Sequence, residues 1–152
     1  MQLAHYLGLL HKAQVDLAAA FRDVREAHAE EVDVHVLCAR LAEQCDRHAE
    51  QLGQFVDRYG EDAPSEPDRL YSELFKGPRE GGLALLRDLH DLYLMASECD
   101  VAWTLVGQAA QGARDDELYQ VVQRCEGETA TQLQWLLTRM KQAAPQVLVV
   151  TR

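Results

Sequence analysis

The chain has few residues that break helices and few that bind polyanions. Among its 152 residues are four prolines and nine glycines, most of them between Gly60 and Gly82. Long uninterrupted helices are therefore allowed on either side of that stretch. Lys and Arg number 15 against 25 Asp and Glu, for a formal net charge of −10. No basic stripe runs through the sequence, and phosphate recognition needs clustered cations, so neither nucleic acid nor an anionic membrane is an expected partner. No run approaches the roughly 20 apolar residues that span a bilayer. Met1 to Ala20 lacks a basic start and is broken by His11, Lys12, Gln14 and Asp16, so it does not read as a secretory signal. The four cysteines (Cys38, Cys45, Cys99, Cys125) form no Cys-x-x-Cys pair and lie in helix interiors. Reduced, buried thiols and a cytoplasmic setting are the expectation. There is no repeat, no low-complexity segment and no complete catalytic motif, and no residue is assigned a catalytic or cofactor-binding role.

What the chain does have is apolar spacing of period three and four. Leu3, Leu7, Leu10, Gln14, Leu17, Phe21, Val24 and His28 share one face of a first helix over residues 3–28. Val34, Leu37, Leu41, Cys45, His48, Leu52, Phe55 and Tyr59 do so over 34–59. One helix from Leu3 to Tyr59 would be about 85 Å long at 1.5 Å per residue, too long for this chain. The polar run His28 to Asp33 is thus expected to turn, with Asp33 as an N-cap. Gly60 stands where a left-handed residue would end the second helix. A connection over 60–82 follows, with a short helix expected from Pro67 to Phe75. Its length implies a crossover running along the bundle rather than a hairpin.

A third helix is expected over 83–111, burying Leu85, Leu89, Leu92, Tyr93, Ala96, Asp100, Trp103, Gly107 and Ala110, with Glu98 on the solvated side. Asp115 is a good N-cap for a fourth helix over 116–144, whose stripe is Leu118, Val121, Val122, Cys125, Thr129, Gln132, Leu136 and Met140. The apolar tail 146–152 is expected to dock on the bundle or on a partner. The expected fold is one all-α domain, 1–152, a four-helix bundle.

Each stripe carries a polar residue near its middle: Gln14, His48, Asp100 and the pair Thr129/Gln132. Helices of similar length put their midpoints at one level, so these residues should meet in a buried layer rimmed by Cys45, Cys99 and Cys125. His5, His11, His28, His35 and His90 form no close-spaced pair facing the core.

This pattern of two short connections flanking a long one resembles the ferritin-like superfamily and its stress-associated branches, over Leu3 to Ala144. The resemblance implies a diiron site built from a Glu on each of two helices and a Glu-x-x-His on each of the other two. Carried over, His48 matches the second-helix His and Asp100 the third-helix carboxylate. Cys45 stands in place of the motif's Glu, Gln14 or Ala18 in place of the first-helix Glu, and no His follows Glu128. Two readings stay open. In one, the protein is a non-enzymatic bundle with a degenerate metal site that forms a homodimer or other homo-oligomer, or binds a protein partner, and holds no cofactor. In the other, it binds iron or zinc through His48, Asp100, Glu128 and Cys45.

Overall fold

The stripes wind into four helices in the computed structural model: α1 (Leu3–Ala27), α2 (Val32–Gly60), α3 (Ala84–Gly112) and α4 (Asp116–Pro145). The structure describes residues 2–60 and 75–150, and no strand occurs among them. The helix ends fall within two residues of the boundaries read from spacing. The short helix expected from Pro67 lies outside the described residues; only Phe75 at its end is described, and it is buried.

Side-chain bonds set the directions of the helices. Arg25 Nε donates to the His35 carbonyl at 3.0 Å, and Arg22 pairs with Asp46, so α1 and α2 run antiparallel. Arg139 near the end of α4 holds Glu31 at 2.9 Å and Asp33 at 2.6 Å, while Arg58 and Tyr59 near the end of α2 hold Asp115, so α2 and α4 are antiparallel too. His28 at the end of α1 meets Asp88 in the first turns of α3 at 2.8 Å. Each helix packs on two neighbours, α1 on α2 and α3, and α4 on α3 and α2. The four apolar faces close on one core of largely fully buried side chains, including Leu7, Phe21, Leu52, Leu92, Trp103 and Leu136. Close approach of α3 to α4 depends on Gly107, since a Cβ there would sit 3.1 Å from Val122 Cγ1.

The turn from α3 to α4 is built by Arg114 and Asp115. Arg114 takes the left-handed conformation at φ 57°, the Arg114 N–H bonds to Gln111 O, and the Asp115 N–H bonds to Ala110 O. This pair of bonds is the Schellman arrangement, with arginine where glycine usually stands. Asp115 then caps α4, its carboxylate accepting from the Leu118 N–H at 3.1 Å.

Several expectations are corrected. Asp33 is not the N-cap of α2: the helix already begins at Val32, and Asp33 sits in its first turn bound to Arg139. Gly60 is the last residue of α2 and has no left-handed φ; among the described glycines that conformation belongs to Gly77 and Gly81. Asp100 is not on the buried side of α3. The seam of α3 is Leu89, Leu92, Ala96, Cys99, Trp103, Val106 and Ala110, all buried. Its alternate steps of three and four give a period of 3.5, which turns position 100 to the flank. Glu98 is half-buried against α1 rather than fully solvated. Finally, the described part of the tail, Gln146–Val150, is not buried on this bundle. Proline lacks the N–H that would continue the ladder, but the chain stays helical in a wider π-type turn, Gln146–Val150, with Leu148, Val149 and Val150 exposed.

Candidate functional site: a buried polar layer

Halfway along the core, Gln14 from α1, His48 from α2, and Thr129 and Gln132 from α4 are each 1% exposed. Their positions follow from the stripes, because each occupies a core register on its own helix. His48 Nδ1 lies 3.2 Å from Gln14 Oε1. An amide oxygen can only accept, so Nδ1 carries the proton and Nε2 presents its lone pair. Nε2 faces Glu128 Oε1 at 3.8 Å, beyond hydrogen-bond distance. Trp103 reaches diagonally across the bundle and stands perpendicular to the imidazole, with ring centroids 5.6 Å apart. Gln132 Nε2 donates to Gln44 Oε1 at 2.9 Å and lies 3.8 Å from Cys45 Sγ. The Thr129 hydroxyl bonds back to the Cys125 carbonyl at 2.8 Å.

Four atoms of this layer are buried with no hydrogen-bond partner among the described residues: Gln14 Nε2, His48 Nε2, Trp103 Nε1 and Gln132 Oε1. Burial lowers the His48 pKa below its ordinary value, opposed by the attraction of Glu128. The imidazole is therefore neutral at pH 7, in keeping with the lone pair at Nε2. The same burial pushes the thiols of Cys38, Cys45 and Cys125 up to about 12, and that of Cys99 well above its usual value. All four cysteines are free, buried and protonated.

Of the four candidate ligands, the structure brings His48 and Glu128 together, with Glu128 at the solvent rim of the layer. Cys45 lies in the layer but turns toward Gln132. Asp100 is half-exposed on the flank of α3, where its carbonyl accepts from Thr104 Oγ1 at 3.1 Å. A diiron centre needs several carboxylates around the metals; among the described residues Glu128 is the carboxylate paired with His48, so this residue set does not fit one. Among the described residues, no group of three or more His, Cys, Asp and Glu is placed to hold a metal ion.

A second polar cluster was not anticipated. Asp88, fully buried, accepts from the Arg79 backbone N–H at 3.1 and 3.2 Å and from Arg79 Nη1 at 3.1 Å, and meets His28 at 2.8 Å. Asp91 binds the same guanidinium at 2.6 Å. The available signal was Asp88 falling between Leu85 and Leu92 on the apolar side of α3. Its partners come from a loop and from another helix, which spacing within one helix does not reveal. The cluster ties the approach to α3 onto the end of α1.

Compared with known proteins, the chain matches no protein-family model, no curated protein and no solved structure. No helix among the described residues is long and apolar enough to cross a membrane.

Proposed function

We propose that the chain is a non-enzymatic, ferritin-like helical bundle with a degenerate metal site, acting in the cytoplasm by associating with a second copy of itself or with a protein partner. The observation that carries this reading is apolar surface on a strongly acidic chain: Leu94, Val101 and Leu105 on α3, and Leu148, Val149 and Val150 beyond α4, are 43–77% exposed. Contiguous exposed apolar side chains mark contact surfaces. The ferritin-like crossover is supported by the ends it must join. Tyr59 at the end of α2 binds Asp115, whereas Asp88 at the start of α3 binds His28, so those ends lie at opposite ends of the bundle. The interior is consistent with a structural role, since His48 bonds to Gln14, Thr129 to the Cys125 carbonyl and Gln132 to Gln44, and the four thiols among the described residues are buried and protonated. Sedimentation of the full chain tests the reading. A dimer or larger assembly at micromolar concentration is expected, and a strict monomer that captures no partner overturns it.

A second reading is favoured by one feature of His48. Its Nδ1–H is bonded to an amide oxygen while Nε2 points at a carboxylate, the orientation that a metal-ligating imidazole adopts. His48 and Glu128, the two candidates brought together, would then be the protein ligands of one iron or zinc ion. Elemental analysis of untagged protein purified without chelator decides this. Stoichiometric metal that is lost in His48→Ala supports the metal reading, and metal-free, folded wild type rejects it.

A further inference from the structure

The polar layer has more hydrogen-bonding capacity than its own side chains use. Gln14 Nε2, His48 Nε2, Trp103 Nε1 and Gln132 Oε1 are buried without a partner among the described residues. All four side chains are at most 1% exposed. The atoms on Gln14 and Trp103 donate, and those on His48 and Gln132 accept. Each unpaired buried group disfavours the fold, so four in one layer call for a partner. The layer also has a gap at its rim. His48 Nε2 and Glu128 Oε1 stand 3.8 Å apart, too far for a direct bond, and with the ring proton on Nδ1 both atoms are acceptors. A molecule between them must donate twice. The Glu128 side chain is 40% exposed, so this gap lies next to solvent.

We infer that the layer is an internal hydration site, in which a water molecule donates to His48 Nε2 and Glu128 Oε1 and accepts from Trp103 Nε1–H and Gln14 Nε2–H. The mixture of free donors and acceptors selects this occupant. Water has two O–H donors and two lone pairs, and a buried water makes about three hydrogen bonds. A metal ion takes up the lone pairs of His48 and Glu128 but accepts nothing from an N–H. An ammonium ion only donates, and an apolar molecule leaves all four atoms unpaired. Water bridging is also the ordinary link between polar groups more than about 3.5 Å apart. Gln132 Oε1 remains as an acceptor for a second water in the same layer.

Such a water joins Gln14 of α1, His48 of α2, Trp103 of α3 and Glu128 of α4 at one level. It thereby fixes the rotation of each helix about its axis, which apolar contacts specify less sharply. It also gives a solvent proton a path to His48, whose Nε2 is otherwise shut off from bulk water. This water and the metal ion of the second reading compete for one lone pair, and neither depends on self-association.

NMR of the full-length, nitrogen-15-labelled protein, with and without chelator, tests the inference. Water should show cross-peaks to the Trp103 indole proton of opposite sign in laboratory-frame and rotating-frame Overhauser spectra, the mark of a held water rather than of proton exchange. His48 should carry its proton on Nδ1, with an Nε2 resonance displaced toward that of a hydrogen-bonded nitrogen and unmoved by chelator. Glu128→Ala removes the acceptor at the rim and should weaken the Trp103 cross-peak by about twofold or more, with the fold checked by circular dichroism. A wild type without the water cross-peak overturns the inference, as does a proton found on Nε2. An Nε2 resonance that moves with chelator overturns it in favour of the metal reading. A cross-peak indifferent to Glu128→Ala overturns the bridge to Glu128. If Glu128→Ala misfolds, the wild-type signals decide by themselves.

Discussion

His48 concentrates the electrostatics of the core in one ring. Burial lowers its pKa from the ordinary 6.5, with Glu128 pulling the other way. The unfolded chain takes up this proton near pH 6.5, while the folded chain takes it up only at lower pH. The corresponding stability is therefore complete above about pH 6.5 and is lost as pH falls through the lowered folded value. Urea unfolding at pH 7.5, 6.0 and 5.0 should show the wild type losing stability on acidification, and His48→Gln losing less of it over the same range. Parallel pH profiles would show that the ring does not titrate on unfolding as its burial requires.

At the scale of elements, the α3–α4 turn is the most directly testable piece of local structure. Arg114 is held at φ 57°, a conformation that costs a residue with a Cβ about 1–2 kcal/mol. Its side chain is exposed, so Arg114→Gly should raise stability by roughly 0.5–1 kcal/mol in urea titration, a gain partly offset by the greater freedom of glycine when unfolded. One residue on, burial alone would push the Asp115 carboxyl up, but hydrogen bonds from Tyr59, the Leu118 N–H and Arg58 outweigh it and hold the group below its usual range. Asp115→Ala removes the cap of α4 and the anchor of the end of α2 together. A loss of about 1–2 kcal/mol is expected, with Asp115→Asn recovering part of it because the amide oxygen still caps. The seam of α3 shows how finely spacing must be read. A period of 3.6 admits Asp100 to the core, whereas the observed 3.5 replaces it with Cys99 and brings Trp103 against His48.

For the whole molecule, the described part of the segment beyond α4 tests how far the core extends. None of Gln146–Val150 is buried. Removing the chain from Gln146 onward should therefore change unfolding free energy by less than about 1 kcal/mol, within the range of surface changes. A large loss would mean that the segment packs on the bundle.

The sequence by itself determined the four helices, their lengths, the cap at Asp115 and three of the four contributions to the polar layer, from Gln14, His48 and Thr129/Gln132. Those features depend on periodicity and on bonds between residues close in the chain. Only the tertiary structure decided which neighbour each side chain meets. It placed Glu128 at the open side of His48, turned Asp100 to the flank, and set Trp103 against the imidazole. It also joined Asp88 and Asp91 to Arg79, with His28 on Asp88, a cluster drawn from three separate stretches. The physical reason is that a helix's own spacing places a side chain on a face, whereas rotation of one helix against another, by as little as the difference between 3.6 and 3.5 residues per turn, chooses what that face touches.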